Sequence, residues 1–274
     1  MDGKAEVKRN VPVKTVYRSN DVAIPDDFLK SLPADAQPIT YSPIDFANSD
    51  LPNFAGCYAV VLDHVLSPSE CTQLLHLAEA SVMDEDKRDG SPWGEALVNM
   101  GGGYEIEISD YRKSSRIIWD QQEIVDRLWD RMVTVPEIRE QLSTVPGNSS
   151  YEFYRVNKRL RFLKYTPGQF FRAHCDGPYQ EPTPSGFVST FMTVQLYLND
   201  SRQVAGSSAD LIGGATSFLS IDESRRLDVD PKAGRVLIFQ HAKLRHAGDD
   251  VVAGTKYAVR TDIMYKYKSS SQGN

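Results

Sequence analysis

The spacing of apolar positions changes character near residue 150. Upstream of it, an apolar run over 57–62 reads as a strand, and helical periodicity follows. Cys71, Leu74, Leu75, Ala78 and Val82 share one helix face behind the opening Ser67-Pro68-Ser69-Glu70. There the serine can cap, the proline suits the first helical position, and the glutamate completes a capping box. The spacing predicts a second helix over 121–133, with Ile124, Leu128, Trp129 and Met132 inward, and a short third one opened by Pro136. A Gly-rich stretch over 90–103 reads as a loop, and Pro146-Gly147-Asn148 marks a boundary. Downstream, short strands are expected at 159–165, 191–198, 216–218, 235–240 and 256–265, separated by turn signals. Helices first and strands afterwards predict an α+β arrangement in which helices buttress one β-barrel.

The first 55 residues break this pattern. They are polar and carry Pro25, Pro33, Pro38, Pro43 and Pro52, so an extended arm is expected over 1–55. A single domain over 56–268 follows, with helical support over 56–148, a barrel core over 150–268 and a polar tail at 269–274. At 274 residues and 41% apolar composition, a core of useful size forms without disulfides. Cys57, Cys71 and Cys175 show no zinc-finger or CxxC spacing and suit a reducing compartment. The formal charge of −6 argues against a nucleic-acid partner. Arg159, Arg161 and Lys164 fall in a strand pattern rather than a basic cluster. No apolar stretch is long enough for a secretory leader or a membrane span, so a soluble, cytoplasmic protein is expected.

Five histidines bring in the chemistry. His64 and His76 have no acidic partner at ligand spacing and read as structural or surface residues. His174 and Asp176, in Arg172-Ala173-His174-Cys175-Asp176, are two apart, so on a strand both would project from one face. A further histidine from a distant strand would complete a two-His, one-carboxylate triad, which leaves three coordination positions open. His241 and His246 both qualify on geometry. Gly101-Gly102-Gly103 lacks the context of a phosphate loop, and no G-x-S-x-G elbow occurs.

An ordered series surrounds these residues: Tyr165-Thr166-Pro167-Gly168-Gln169-Phe170-Phe171 before His174, then Leu196-Tyr197-Leu198-Asn199 and Gly213-Gly214-Ala215-Thr216-Ser217-Phe218. After it come Pro231-Lys232-Ala233-Gly234-Arg235, His246-Ala247-Gly248 and Gly254-Thr255-Lys256-Tyr257. In this order the series resembles the catalytic domain of prolyl 4-hydroxylase-like 2-oxoglutarate/Fe(II) dioxygenases, closely over about 150–268 and loosely over 56–145.

The resemblance implies a double-stranded β-helix, a jelly-roll barrel with the metal at one open end. It implies Fe(II) on His174, Asp176 and His246, with 2-oxoglutarate as co-substrate, O2 as oxidant and ascorbate as an optional addition. His246 is favoured over His241 because it precedes Ala-Gly and has Lys256 ten positions later, the family's place for a residue gripping the far carboxylate of 2-oxoglutarate. Arg260 shares a strand face with Lys256 and competes for that role. Tyr165 and Tyr197 resemble pocket tyrosines, the alternative being core aromatics. Thr193 and Gln195 share the inward face of Tyr197 by alternation. Gly213 and Gly214 are expected to permit tight backbone rather than touch a ligand. Tyr104, Arg112 and Arg116 are candidates for a substrate mouth, the alternative being solvated charge. The implied reaction is hydroxylation of an unactivated C–H bond, with desaturation or ring closure as variants. A small molecule, such as an amino acid or natural-product intermediate, is the preferred substrate, a prolyl residue of a protein or peptide the second. A metal-binding barrel without turnover is the rival from another class.

Overall fold

A computed structural model describes residues 11–33, 36–184 and 186–268. In chain order the elements that position the site are β1 (Thr40–Pro43), β2 (Ala59–Asp63), α1 (Pro68–Ala80), β3 (Ser115–Asp120), α2 (Gln122–Met132) and β4 (Arg159–Tyr165). They are followed by β5 (Phe170–His174), β6 (Gly186–Tyr197), β7 (Thr216–Leu219), β8 (Val236–Gln240), β9 (His246–Gly248) and β10 (Lys256–Tyr267). The larger sheet runs β1–β2–β8–β6–β10–β4–β3, with every neighbouring pair antiparallel. A smaller antiparallel sheet, β7–β9–β5, is flanked by Arg226–Val229 and Arg112–Lys113. The two sheets face each other as a double-stranded β-helix, with the helices outside the larger one.

Period-two alternation sorts the larger sheet into two faces. Val60, Leu62, Leu160, Phe162, Met192, Val194, Leu196, Val236, Ile238, Val259 and Ile263 form one core with the helix residues Cys71, Leu74, Ile124, Leu128 and Met132. Their sequence neighbours point into the barrel. There Tyr197, Leu237, Phe239 and Ala258 meet Phe218 of the smaller sheet and Phe46, Leu51 and Phe54 of the N-terminal segment. Phe46 packs edge-to-face on Phe218 with ring centres 5.4 Å apart, so this segment fills one end of the barrel. The other end is polar and open.

Both helices are anchored as their ends predict. Ser67 accepts from the Glu70 backbone N–H, and the Glu70 carboxylate accepts from that of Ser67, which completes the capping box. The same Glu70 pairs with Arg131 of α2 at 2.7 Å. Arg131 is buried and also donates to the carbonyls of Leu29, Ser31 and Val65, so one guanidinium ties α1, α2 and the N-terminal segment together.

Several expectations need correction. The stretch over 90–103 is not only loop: Gly94–Glu95 pairs with β3, and Val98–Gly101 pairs with Tyr104–Ile106, which also takes Val13–Lys14 as a third strand. β3 itself was not anticipated. It is buried along most of its length and so shows no alternation. Directly after the Pro146-Gly147 turn, Asn148–Val156 is a strand paired with the second half of β10, where the sequence pattern marked none. The helical support thus contains strands of both sheets. Trp129 lies at the edge of the core, stacked on Phe153 with centres 4.6 Å apart, rather than inside it. The tail at 269–274 and residues 1–10 lie outside the described residues. No helix among the described residues is long and apolar enough to cross a membrane.

Candidate active site

The open end of the barrel is a cavity of about 900 Å³. β5 and β9 pair so that His174 stands directly opposite His246, which places the two imidazoles side by side with ring centres 4.4 Å apart. Asp176 lies two residues past His174, but β5 ends at His174, so the carboxylate comes from the following irregular segment rather than from the strand. It is held there from β6 and β10: Thr193 donates its hydroxyl to Oδ2, and Arg260 forms an ion pair with Oδ1 at 2.9 Å. His174 Nε2 lies 3.6 Å from Oδ1, and His246 Nε2 lies 3.7 Å from Oδ2. One donor atom from each of the three residues lies within 4.8 Å of the others.

The donor set fits a divalent first-row metal. Each histidine points Nδ1 at a backbone carbonyl two residues earlier, His174 at Arg172 (2.8 Å) and His246 at Leu244 (3.0 Å). An imidazole donating from Nδ1 presents an unprotonated Nε2, which is the form a metal requires. Burial lowers the pKa of His246 to about 4, so it is neutral. Burial alone would raise Asp176, but the Arg260 guanidinium and the neighbouring histidines hold its carboxyl well below the usual range. Two neutral nitrogens and one anionic oxygen on one side of a wet cavity are a facial set with open positions for other ligands. His241 does not join it. It is buried beside Asp262, with Nε2 3.4 Å from Oδ1.

The strand faces deliver the remaining wall. β10 presents Lys256, Arg260 and Asp262; β6 presents Thr193 and Gln195; β4 presents Arg159, Arg161, Leu163 and Tyr165. Lys256 is 3% exposed, yet it makes no ion pair or hydrogen bond among the described residues, and burial pushes its pKa down to about 8. Its ammonium stands 5.3 Å from the ring centre of Tyr165 and 5.6 Å from that of Tyr197. Gly214 makes room for it: a Cβ there would come within 3.2 Å of Lys256 Cδ. At Gly213, with φ +79°, a Cβ would meet the Asp250 carbonyl oxygen at 2.4 Å, so both glycines serve close backbone approach. Arg260 is already engaged by Asp176 and by Asp262 (3.1 Å).

Other candidates are placed differently. Tyr197 is fully buried and lies beneath the wall. Its hydroxyl donates to Thr216 Oγ1 at 2.7 Å, and Thr216 in turn lines the cavity. Tyr104 is exposed and outside the cavity wall, whereas Arg112 and Arg116 belong to it. Reading the sequence missed Arg161 and Arg159 as wall residues, although alternation from Tyr165 along the same strand would have found them. It also missed Tyr17, which reaches over the mouth from the N-terminal segment. Tyr17 bonds to Glu105 and Arg116, and its ring lies under the guanidinium of Arg159 at 5.6 Å.

Residues 160–261 match the family model described as the 2OG-Fe(II) oxygenase superfamily. The match spans the barrel strands from β4 into β10. Fe(II) is the metal of this oxygenase and 2-oxoglutarate its co-substrate, and the chain is a dioxygenase enzyme. No curated protein sequence matches the chain. Among solved structures, it is similar to a prolyl-4-hydroxylase from Pseudomonas putida, with 16% identity, covering 80% of this chain and 95% of that one at a TM-score of 0.51. It also overlaps the viral collagen prolyl hydroxylase of Paramecium Bursaria Chlorella virus-1, solved as a 2OG complex, with 19% identity, 76% and 97% coverage and a TM-score of 0.46. At such identities the first likeness shows a shared barrel fold, and the oxygenase assignment rests on the family match.

Proposed function

We propose that this oxygenase hydroxylates an unactivated C–H bond of a small molecule, with His174, Asp176 and His246 holding the iron and Lys256 anchoring 2-oxoglutarate. The observation that carries the reading is the convergence of three metal-competent donors on a cavity whose wall also holds a buried, unpaired ammonium. When bound, iron with 2-oxoglutarate and dioxygen supplies the oxidant, and 2-oxoglutarate leaves as succinate and carbon dioxide. The chain's residues do the rest. Thr193 and Arg260 fix the Asp176 carboxylate, which would otherwise rotate in an irregular segment. Lys256 offers the far carboxylate of 2-oxoglutarate a positive charge held in no ion pair among the described residues, whereas the charge of Arg260 is already shared between two aspartates.

The mouth supports a bounded substrate. Tyr17, Glu105 and Arg116 bond to one another along the cavity wall, which supports reading the cavity as a bounded pocket. We take residues 56–268 as one catalytic domain, with the N-terminal segment as an arm that completes the pocket. The test is succinate release from 2-oxoglutarate with Fe(II) under air, screened against amino acids, small metabolites and prolyl peptides. Stimulation by a small molecule supports the reading; stimulation by peptides alone overturns its substrate half; absence of succinate under every condition overturns the whole.

A further inference from the structure

The charges around the inner cavity do not balance. Asp176 and Asp262 face Arg112, Arg161, Arg260 and Lys256, so four cations meet two carboxylates. Divalent iron and dianionic 2-oxoglutarate cancel each other on arrival, and the excess of two positive charges stays. Farther out, Arg116 pairs with Glu105 at 2.8 Å and Arg159 with Asp120 at 2.8 Å, which leaves Lys158 as the outer cation without an ion pair among the described residues. Most of the excess therefore lies beside the metal ligands.

Arg112 is where it is least compensated. Among the described residues it has no ion pair, and the only hydrogen bond of its guanidinium is a 3.5 Å contact from Nε to Ser114 Oγ. The residue lines the cavity, and its terminal nitrogens have no protein acceptor among the described residues. Burial, and the nearby guanidiniums of Arg116, Arg260 and Arg161, lower its pKa to about 10. A cation kept in such company without a counter-ion is costly unless something anionic joins it. The side chain is nevertheless held in place: its strand partner is Phe171, and its guanidinium lies 4.5 Å from the Phe171 ring centre. The same ring stacks on His174 at 3.8 Å, so one phenyl group touches both the spare cation and a metal ligand.

We infer that the substrate is a carboxylate, gripped by the Arg112 guanidinium with Arg161 beside it, so that the acid end seats next to Phe171 and the rest of the molecule extends over the metal. This rests on the reading of the cavity as the oxygenase active site. A planar guanidinium donates two parallel hydrogen bonds to a carboxylate, which fixes direction as well as position. Of the other inner cations, Arg161 gives part of its charge to Asp262 at 3.0 Å, and Lys256 serves the co-substrate.

The test uses full-length protein with Mn(II) and saturating 2-oxoglutarate, so that binding is read without turnover. A panel of free amino acids and aryl-substituted acids, each paired with its carboxamide, is titrated by calorimetry, with phosphate monoesters as a further arm. The expected result is binding of carboxylates at least tenfold tighter than of their amides. Arg112→Gln should weaken it by about 10- to 100-fold, and Arg112→Lys by less. In both variants the affinities for Mn(II) and 2-oxoglutarate stay unchanged, which also reports an intact fold. Equal binding of acids and amides, binding confined to neutral or phosphorylated members, or no binding in the panel overturns the inference. Loss of 2-oxoglutarate affinity in Arg112→Gln also overturns it, by making Arg112 the co-substrate anchor. Failure of wild-type protein to bind Mn(II) and 2-oxoglutarate sinks the active-site reading instead, and so is distinct from these outcomes.

Discussion

Each cavity side chain is defined by what it is already bonded to, and that separates residues of similar type. His246 and His241 differ in this way: the first faces His174 and Asp176, the second faces Asp262. His246→Ala should therefore abolish iron binding, measured as metal stoichiometry, while His241→Ala keeps it. Lys256 and Arg260 differ likewise. Lys256→Ala should raise the 2-oxoglutarate Kd by about one to two orders of magnitude with iron retained. Arg260→Ala should instead weaken metal affinity by roughly 10- to 100-fold, since it removes a group that orients a ligand. The ammonium also sets a pH dependence. Burial places the Lys256 pKa near 8, and only the protonated form pairs with a dianion, so binding is full below that value and fades above it. The Kd should rise roughly tenfold between pH 7 and pH 9, and Lys256→Arg, whose charge persists over this range, should flatten the profile. Calorimetric titration at fixed pH steps checks both.

At the scale of elements, Glu70 holds the capping box of α1 and the buried Arg131 of α2 together. Ser67→Ala removes one cap and should cost about 1 kcal/mol. Glu70→Gln strands a buried guanidinium and should cost about 3–5 kcal/mol, read by denaturant unfolding. Burial would raise the Glu70 pKa, but Arg131 and the Ser67 backbone hold it below its usual value. Its contribution is therefore complete above the unfolded carboxyl range and is lost as pH falls through the folded pKa. The stability gap between wild type and Glu70→Gln should hold steady above about pH 5 and narrow below about pH 4. Elements like α1 were legible because capping and periodicity are local. β4 was legible with both ends correct, since its apolar residues alternate and a turn follows it. β3 was not, because a strand buried on both faces has no alternation to read. Asn148–Val156 opens on Asn148-Ser149-Ser150 and becomes a strand only through its pairing with β10. The convergence of His174, Asp176 and His246 was legible through motif order. Of the ion pairs that separate Lys256 from Arg260, the one to Asp262 lies within reach of sequence reading, two positions along the same strand. The one to Asp176 joins segments far apart in the chain and leaves no local pattern.

For the whole molecule, the central fact is that β10 lies between β6 and β4 and also pairs with Asn148–Val156. It carries Lys256, Arg260 and Asp262 on one face and Val259, Ile263 and Tyr265 on the other, so it belongs to both the pocket and the helix-packed core. The N-terminal segment is joined just as remotely, Tyr17 meeting Glu105 and Arg116. During synthesis the neighbours of β10 must therefore emerge from the ribosome without the strand that unites them. Until Tyr267 is clear of the exit tunnel, β4 and β6 present unpaired edges, which are sites for wrong pairing and aggregation. Chains stalled before Lys256 should be cut by protease throughout 56–255, whereas released chains resist; protection of β4 and β6 in the stalled chain would show that the sheet closes without its central strand. Translation speed through the codons of β10, a quantity absent from any folded structure, then sets how long those edges stay open.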